Sequence, residues 1–180
     1  MGTLHGVVQG QWHRVTTGMT GTANAPLVVG WQEWVRLPML GLPAIKAKID
    51  TGARTSALHA FDIEPAGADR IAFKVHPIPR RADIVVQCDA QLVDSREVTS
   101  SNGERERRVV VETEIEIAGR RWLIEITLTN RALMRTRMLL GRQALQGHVL
   151  IDPAAALLQP RLSYKVYRKP QRLTRHSTGG

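Results

Sequence analysis

Asp50-Thr51-Gly52-Ala53 follows the alternating run Ala44-Ile45-Lys46-Ala47-Lys48-Ile49, so a carboxylate stands where a strand ends and the chain turns. Carboxyl groups do acid–base chemistry well in pairs. Two held close together cannot both ionise comfortably, so one keeps a proton and acts as acid while the other acts as base toward water. Thr51 adds a hydroxyl, and Gly52 has no side chain to keep an extended peptide away from the backbone. The tetrapeptide occurs once in the 180 residues. A carboxylate pair built on it therefore needs a second copy of the chain.

The elements around that turn show period-two alternation in short runs separated by turn residues, the pattern of an all-β barrel or sandwich. Residues 28–37 and 44–49 flank Pro38-Met39-Leu40-Gly41-Leu42-Pro43 and read as a hairpin. Further strands are expected over 56–63, 71–75, 84–93 and 95–101, the last leading into the turn Ser101-Asn102-Gly103. The clearest alternation sets Val109, Val111, Thr113, Ile115 and Ile117 against Val110, Glu112, Glu114 and Glu116. Ala118-Gly119-Arg120 then turns the chain into a partner strand over 122–129. Past the apolar run Met138-Leu139-Leu140, a short helix is expected over 141–146, a strand over 148–151 and a helical turn over 153–158. Pro77-Ile78-Pro79-Arg80-Arg81 reads as a loop insertion, because strand patterns resume on both sides. The resulting division is a disordered leader over 1–26, one domain over 27–168 and a basic flexible tail over 169–180.

A chain of this length suits one domain with its own core. The single cysteine, Cys88, excludes an intrachain disulfide framework and a cysteine-rich zinc site, and it fits a reducing compartment, so a cytoplasmic location is expected. Residues 1–25 have no continuous apolar core of the secretory type, and charged residues interrupt every hydrophobic run, so no membrane span is expected. A net charge of +9 raises the question of nucleic acid. The clusters at Arg80-Arg81, 105–108, 131–137 and 168–175 are dispersed and lack interleaved aromatics, which argues against it. His59 has no zinc-type spacing to Asp50, His76, Cys88 or Asp89 and reads as a structural histidine, and Cys88 reads as a small core residue. Trp31, Trp34 and Trp122 read as core or dimer contacts.

The Asp50 turn, the hairpin over 109–130 and Met138-Leu139-Leu140-Gly141-Arg142-Gln143-Ala144-Leu145 come in an order that, over 27–152, resembles the retropepsin-type aspartic peptidases. These are single-domain proteins that work as homodimers. More narrowly, residues 48–60 and Ser100-Ser101-Asn102-Gly103 resemble a bacterial family usually labelled "ATP-dependent zinc protease", found near the glutamate ligase that modifies a small-subunit ribosomal protein. The resemblance implies a closed acid-protease barrel with one short C-terminal helix, and a homodimer that hydrolyses peptide bonds by activated water. It assigns catalysis to Asp50, Thr51 and Gly52, and substrate contact to Ala53, Arg54, Ser100, Ser101, Asn102 and Gly103. Leu140, Gly141 and Arg142 would lie beneath the turn as support. No cofactor or metal is expected, since neither His-Glu-x-x-His nor a phosphate-cradling loop occurs to match the label's zinc and ATP.

Two departures stand out. Arg54 replaces the acidic residue that many retroviral members carry there to pair with the arginine equivalent to Arg142, and its charge points to an acidic peptide, such as a glutamate-extended tail, as substrate. The flap over 95–107 is polar where retroviral flaps are glycine-rich and apolar, which favours a narrow substrate range. Two other readings remain open on the sequence: a non-catalytic regulatory or binding protein on the same fold, linked to ribosomal-protein glutamylation, and a zinc-dependent peptidase, as the family label states.

Overall fold

The structure, a computed structural model, describes residues 25–99, 105–130 and 136–167. Most of the leader and all of the tail expected from the sequence lie outside these residues. In chain order the strands are β1 (Leu27–Gly30), β2 (Gln32–Leu37), β3 (Leu42–Asp50), β4 (Ser56–His59), β5 (Phe61–Pro65) and β6 (Arg70–Val75). They continue with β7 (Val86–Thr99), β8 (Arg105–Ile117), β9 (Arg120–Thr129) and β10 (Met138–Gly141). One helical turn, α1 (Arg142–Leu145), precedes β11 (Val149–Asp152), and 3-10 turns occupy Pro38–Leu40 and Tyr164–Tyr167.

Alternation in the sequence becomes curvature in the sheet. Strands β2, β3, β10, β4, β9 and β8 are neighbours in that order, and β8 returns to β2 at the pair Arg36 and Glu116. The result is the closed six-stranded barrel that the sequence implied, with one short helix near its end. Leu37, Leu42, Ile45, Leu58, Ile115, Ile117, Ile126, Leu128, Met138 and Leu140 fill its interior and are fully or almost fully buried. Closure leaves these strands no bare edge for another chain to pair with. Strands β7, β6 and β5 continue outward from β8, and β1 with β11 forms a separate two-stranded parallel sheet.

Four sequence expectations are corrected. The strand over 28–37 breaks at Trp31, because β1 joins β11 while β2 joins the barrel. Likewise 56–63 divides at Ala60, with β4 in the barrel and β5 on β6, and Asp62 takes a positive φ of 49° in the outer strand. The two strands expected over 84–101 are one, β7, which absorbs its change of direction in a register shift between Leu92 and Asp94. Finally, 153–158 forms no helical turn. Its backbone is held by the barrel instead, with Leu157 N–H donating to Gln32 O at 2.7 Å and Trp31 N–H to Ala155 O at 2.8 Å. A side chain at Gly30 would stand 2.4 Å from Ala155 O, so only glycine admits this strap.

Glu33 ties the strap down. Its carboxylate is fully buried and accepts N–H groups from Gly30 at 2.8 Å, Leu158 at 2.9 Å and Gln159 at 3.2 Å. A charge so placed stabilises only because its oxygens are satisfied, and removing it strands three amides. Glu33→Ala is expected to lower stability by about 3 kcal/mol in urea unfolding. A loss below about 1 kcal/mol, the range of an ordinary surface substitution, would contradict this role.

Candidate active site

Asp50 ends β3, and β10 runs parallel beside it with Leu140 opposite Ile49 and Gly141 opposite Asp50. The other edge of β10 pairs with β4, so the loop leaving β3 and the strand it enters are both fixed to β10. Within that loop Asp50 Oδ1 accepts Gly52 N–H at 3.1 Å and Ala53 N–H at 3.2 Å. Asp50 is half-buried, and its Oδ2 has no partner among the described residues. One oxygen of the carboxylate thus holds the turn.

The support beneath the turn is built from backbone. Arg142 N–H donates to Ala53 O at 2.9 Å and Gln143 N–H to Arg54 O at 3.1 Å, which uses two of the amides that a helix leaves unpaired at its start. Gly141 N–H donates to Ser56 Oγ at 3.2 Å, and Thr127 Oγ1 to Ser56 O at 2.8 Å. A Cβ on Gly141 would lie 2.5 Å from the carbonyl of Thr55, so the close approach of β10 to the turn requires glycine. Leu140 and Gly141 thus stand opposite Ile49 and Asp50, with Arg142 at the loop that follows. Arg142 departs in one respect: lacking an acidic residue at position 54, its Nη1 donates to the carbonyls of Thr51 and Gly52, at 2.7 and 3.0 Å.

Thr51, Gly52 and Arg54 are exposed and Ala53 is half-buried. Beside them opens a pocket of about 390 Å³ whose lining includes Arg54, Thr55, Thr127 and Gln143, with Arg96 and Glu125 across it. Arg96 donates to Glu125 at 2.6 Å and also pairs with Asp94. The hydrogen bonds to Glu125 and then Asp94 push the Arg96 guanidinium above its ordinary range, and the bond from Arg96 pulls Asp94 down. Arg54 has no acidic partner among the described residues. The arms of the expected flap are β7 and β8, while Ser100, Ser101, Asn102 and Gly103 lie outside the described residues.

Ser56, Thr127, Arg96 and Glu125 were not singled out in the sequence. The single usable signal was Ser56, a hydroxyl in the first strand after the turn, where a small polar group can satisfy a backbone amide.

His59 and Cys88 take structural places. His59 is buried and its Nδ1 lies 3.3 Å from Thr129 O; a carbonyl only accepts, so Nδ1 carries the proton. Burial first, and then the charge of Arg137, holds this imidazole below its usual range. Burial pushes the Cys88 thiol up to about 12, and its S–H donates to Leu40 O at 3.3 Å. Among the described residues no three His, Cys, Asp or Glu side chains come together as a metal-binding group. Trp34 is buried, Trp122 stacks on His148 with ring centres 4.5 Å apart, and Trp31 remains 45% exposed.

Barrel, turn and glycine-backed support together define a retropepsin-like fold, and comparison with known proteins gives the particular family. The chain belongs to the RimB-like family, described as "Retropepsin-like aspartic endopeptidase RimB", whose model matches residues 28–162. Proteins named "Probable alpha-L-glutamate ligase" from Shewanella pealeana and Shewanella halifaxensis are each 45% identical to it over 130 residues, or 71% of this chain and 28% of theirs. The chain therefore spans little more than a quarter of the length of these curated relatives. A crystal structure of a Legionella pneumophila protein of unknown function superposes with a TM-score of 0.61 at 27% identity, covering 73% of this chain and 97% of that one.

Gly141→Ala forces the turn and β10 apart, so it is expected to cost about 1–3 kcal/mol and to lower the melting temperature by several degrees; an unchanged melting curve would contradict the packing described. Native Cys88 should resist alkylation at pH 8 and react fully once the protein is unfolded in urea. Rapid labelling of the folded protein would contradict its burial.

Proposed function

We propose that the chain is an aspartic endopeptidase that works as a homodimer with one Asp50 from each copy. The observation that carries the reading is the carboxylate itself: Oδ1 is held by two amides and Oδ2 has no partner among the described residues, at a turn backed by Gly141. Across a two-fold axis the two Asp50 carboxyls would share one proton. The ionised one takes a proton from water as the water oxygen bonds to the peptide carbonyl carbon, and the protonated one donates to the carbonyl oxygen. Collapse of the resulting diol breaks the C–N bond as the leaving nitrogen is protonated. Thr51 would join the two turns through its hydroxyl, and exposed Gly52 would let an extended peptide lie close.

Exposed apolar residues support the dimer. Val28 and Leu150 are register neighbours across β1 and β11, 47% and 58% exposed, and Trp31 O accepts the N–H of Ile49, the residue before Asp50. A second copy covering this surface would stand next to the catalytic turn. Arg54, without an acidic partner among the described residues, lines the pocket with Arg96, Glu97 and Glu125, and its charge supports an acidic peptide as substrate. The name glutamate ligase on the longer relatives points the same way, toward chains extended by glutamate.

A second reading is a non-catalytic binding module on the same fold. It is favoured by the exposed, polar flap arm at Ser95 and Glu97, which would exclude water poorly from a cleft.

Asp50→Asn separates the two. Peptide hydrolysis should fall by at least about a hundred-fold in the first case, whereas peptide binding should survive in both. Hydrolysis that survives in Asp50→Asn, or a strictly monomeric active protein, would sink the dyad. On acidic against neutral peptides, Arg54→Gln should shrink the preference about ten-fold; equal cleavage of both by the unmodified protein would contradict acidic selection.

A further inference from the structure

We infer that Arg142 is a positioning residue that acts on the Asp50 carboxylate through two peptide groups. Its Nη1 lies 2.7 Å from Thr51 O and 3.0 Å from Gly52 O. These carbonyls belong to the peptide units whose N–H groups, those of Gly52 and Ala53, donate to Asp50 Oδ1 at 3.1 and 3.2 Å. No peptide bond among the described residues is cis, so C=O and N–H point to opposite sides of each unit. The guanidinium and the carboxylate therefore face each other across two aligned peptide dipoles.

A cation at the carbonyl end of a peptide draws electron density from its N–H and makes that N–H a stronger donor. Arg142 applies this to both amides that hold Oδ1, which fixes one oxygen of the carboxylate and leaves Oδ2 to react. The grip is wider than the side chain. Arg142 N–H and Gln143 N–H take the next two carbonyls, Ala53 O and Arg54 O, so four consecutive carbonyls of the turn face the head of α1. With Arg54 where an acidic partner would otherwise stand, the guanidinium is available for backbone instead. Chemistry at Asp50 rests on the proposed function, but the coupling itself can be read without any substrate.

The experiment is amide NMR on full-length protein carrying Arg142→Ala, Arg142→Gln or Arg142→Lys, with the amides of β3 and β10 as the check on folding. In Arg142→Ala the amide protons of Gly52 and Ala53 should both move upfield, and their exchange with solvent should quicken about ten-fold. Lysine, which restores the cation and its donors, should recover most of the change, and glutamine, a donor without charge, less of it. Where the unmodified protein cleaves a peptide, kcat should fall about ten-fold in Arg142→Ala at unchanged KM. Unmoved Gly52 and Ala53 amides in a folded Arg142→Ala protein would overturn the assignment. So would a rise in KM at unchanged kcat, which would make Arg142 a substrate contact. Amides that respond in a protein that cleaves nothing would uphold the coupling while the peptidase reading falls.

Discussion

The parallel pairing of β3 with β10 is the constraint on which the site depends. It brings Gly141 opposite Asp50 across a sequence gap spanning half the chain, and it leaves no room for a side chain at Gly141 because Thr55 C=O already fills that space. Everything near the carboxylate follows from that approach. The loop is bound at both ends to one strand, the first amides of α1 find the loop's carbonyls, and Asp50 is left with one oxygen engaged. Were the strands half an ångström further apart, the hydrogen bonds from Gly141, Arg142 and Gln143 would lengthen together, since bonds of this kind weaken quickly with distance.

Around this pair the barrel serves as a rigid frame. Its closure through β8 and β2 fixes β3 and β9 in relation to one another, and β9 carries Thr127, which anchors the carbonyl of Ser56. The strap that β2 holds through Glu33 covers the side of the barrel next to β1 and Trp31. Val28 and Leu150, apolar and exposed, are register neighbours on β1 and β11, and Trp31, the residue after β1, accepts the N–H of Ile49 in the strand that ends in Asp50. The RimB-like family model spans this barrel, and the longer relatives named glutamate ligase match the chain over about a quarter of their own length.

Local patterns were legible in the sequence and long-range ones were not. The alternation of Val109 to Ile117 against the glutamates became β8 with nearly the expected bounds, but not with the expected wet face, since Val110 and Glu116 on that side are buried. Asp50 and Gly141 could be named because an acid at a strand end and a glycine after two leucines are local signals, and their meeting followed from a resemblance of motif order. The break at Trp31 was invisible, since whether 28–37 stays in one sheet is decided by β11 and the strap more than a hundred residues away. The strap was misread for the same reason: 153–158 has a helix-friendly composition, but Glu33 and Gln32 offer its amides partners that only the folded barrel presents. Arg142 shows the limit most plainly. Its charge suggested a search for an anion, whereas the folded turn offered it two carbonyls.

The central claim, that two copies of Asp50 make one catalytic centre, is tested most directly by mixing. Unmodified and Asp50→Asn chains unfolded together, refolded at equal ratio and assayed on an acidic peptide should retain about a quarter of the activity of the unmodified protein, because only pairs of intact chains carry two carboxylates. Retention of about half, the linear result for chains that act alone, would contradict the account.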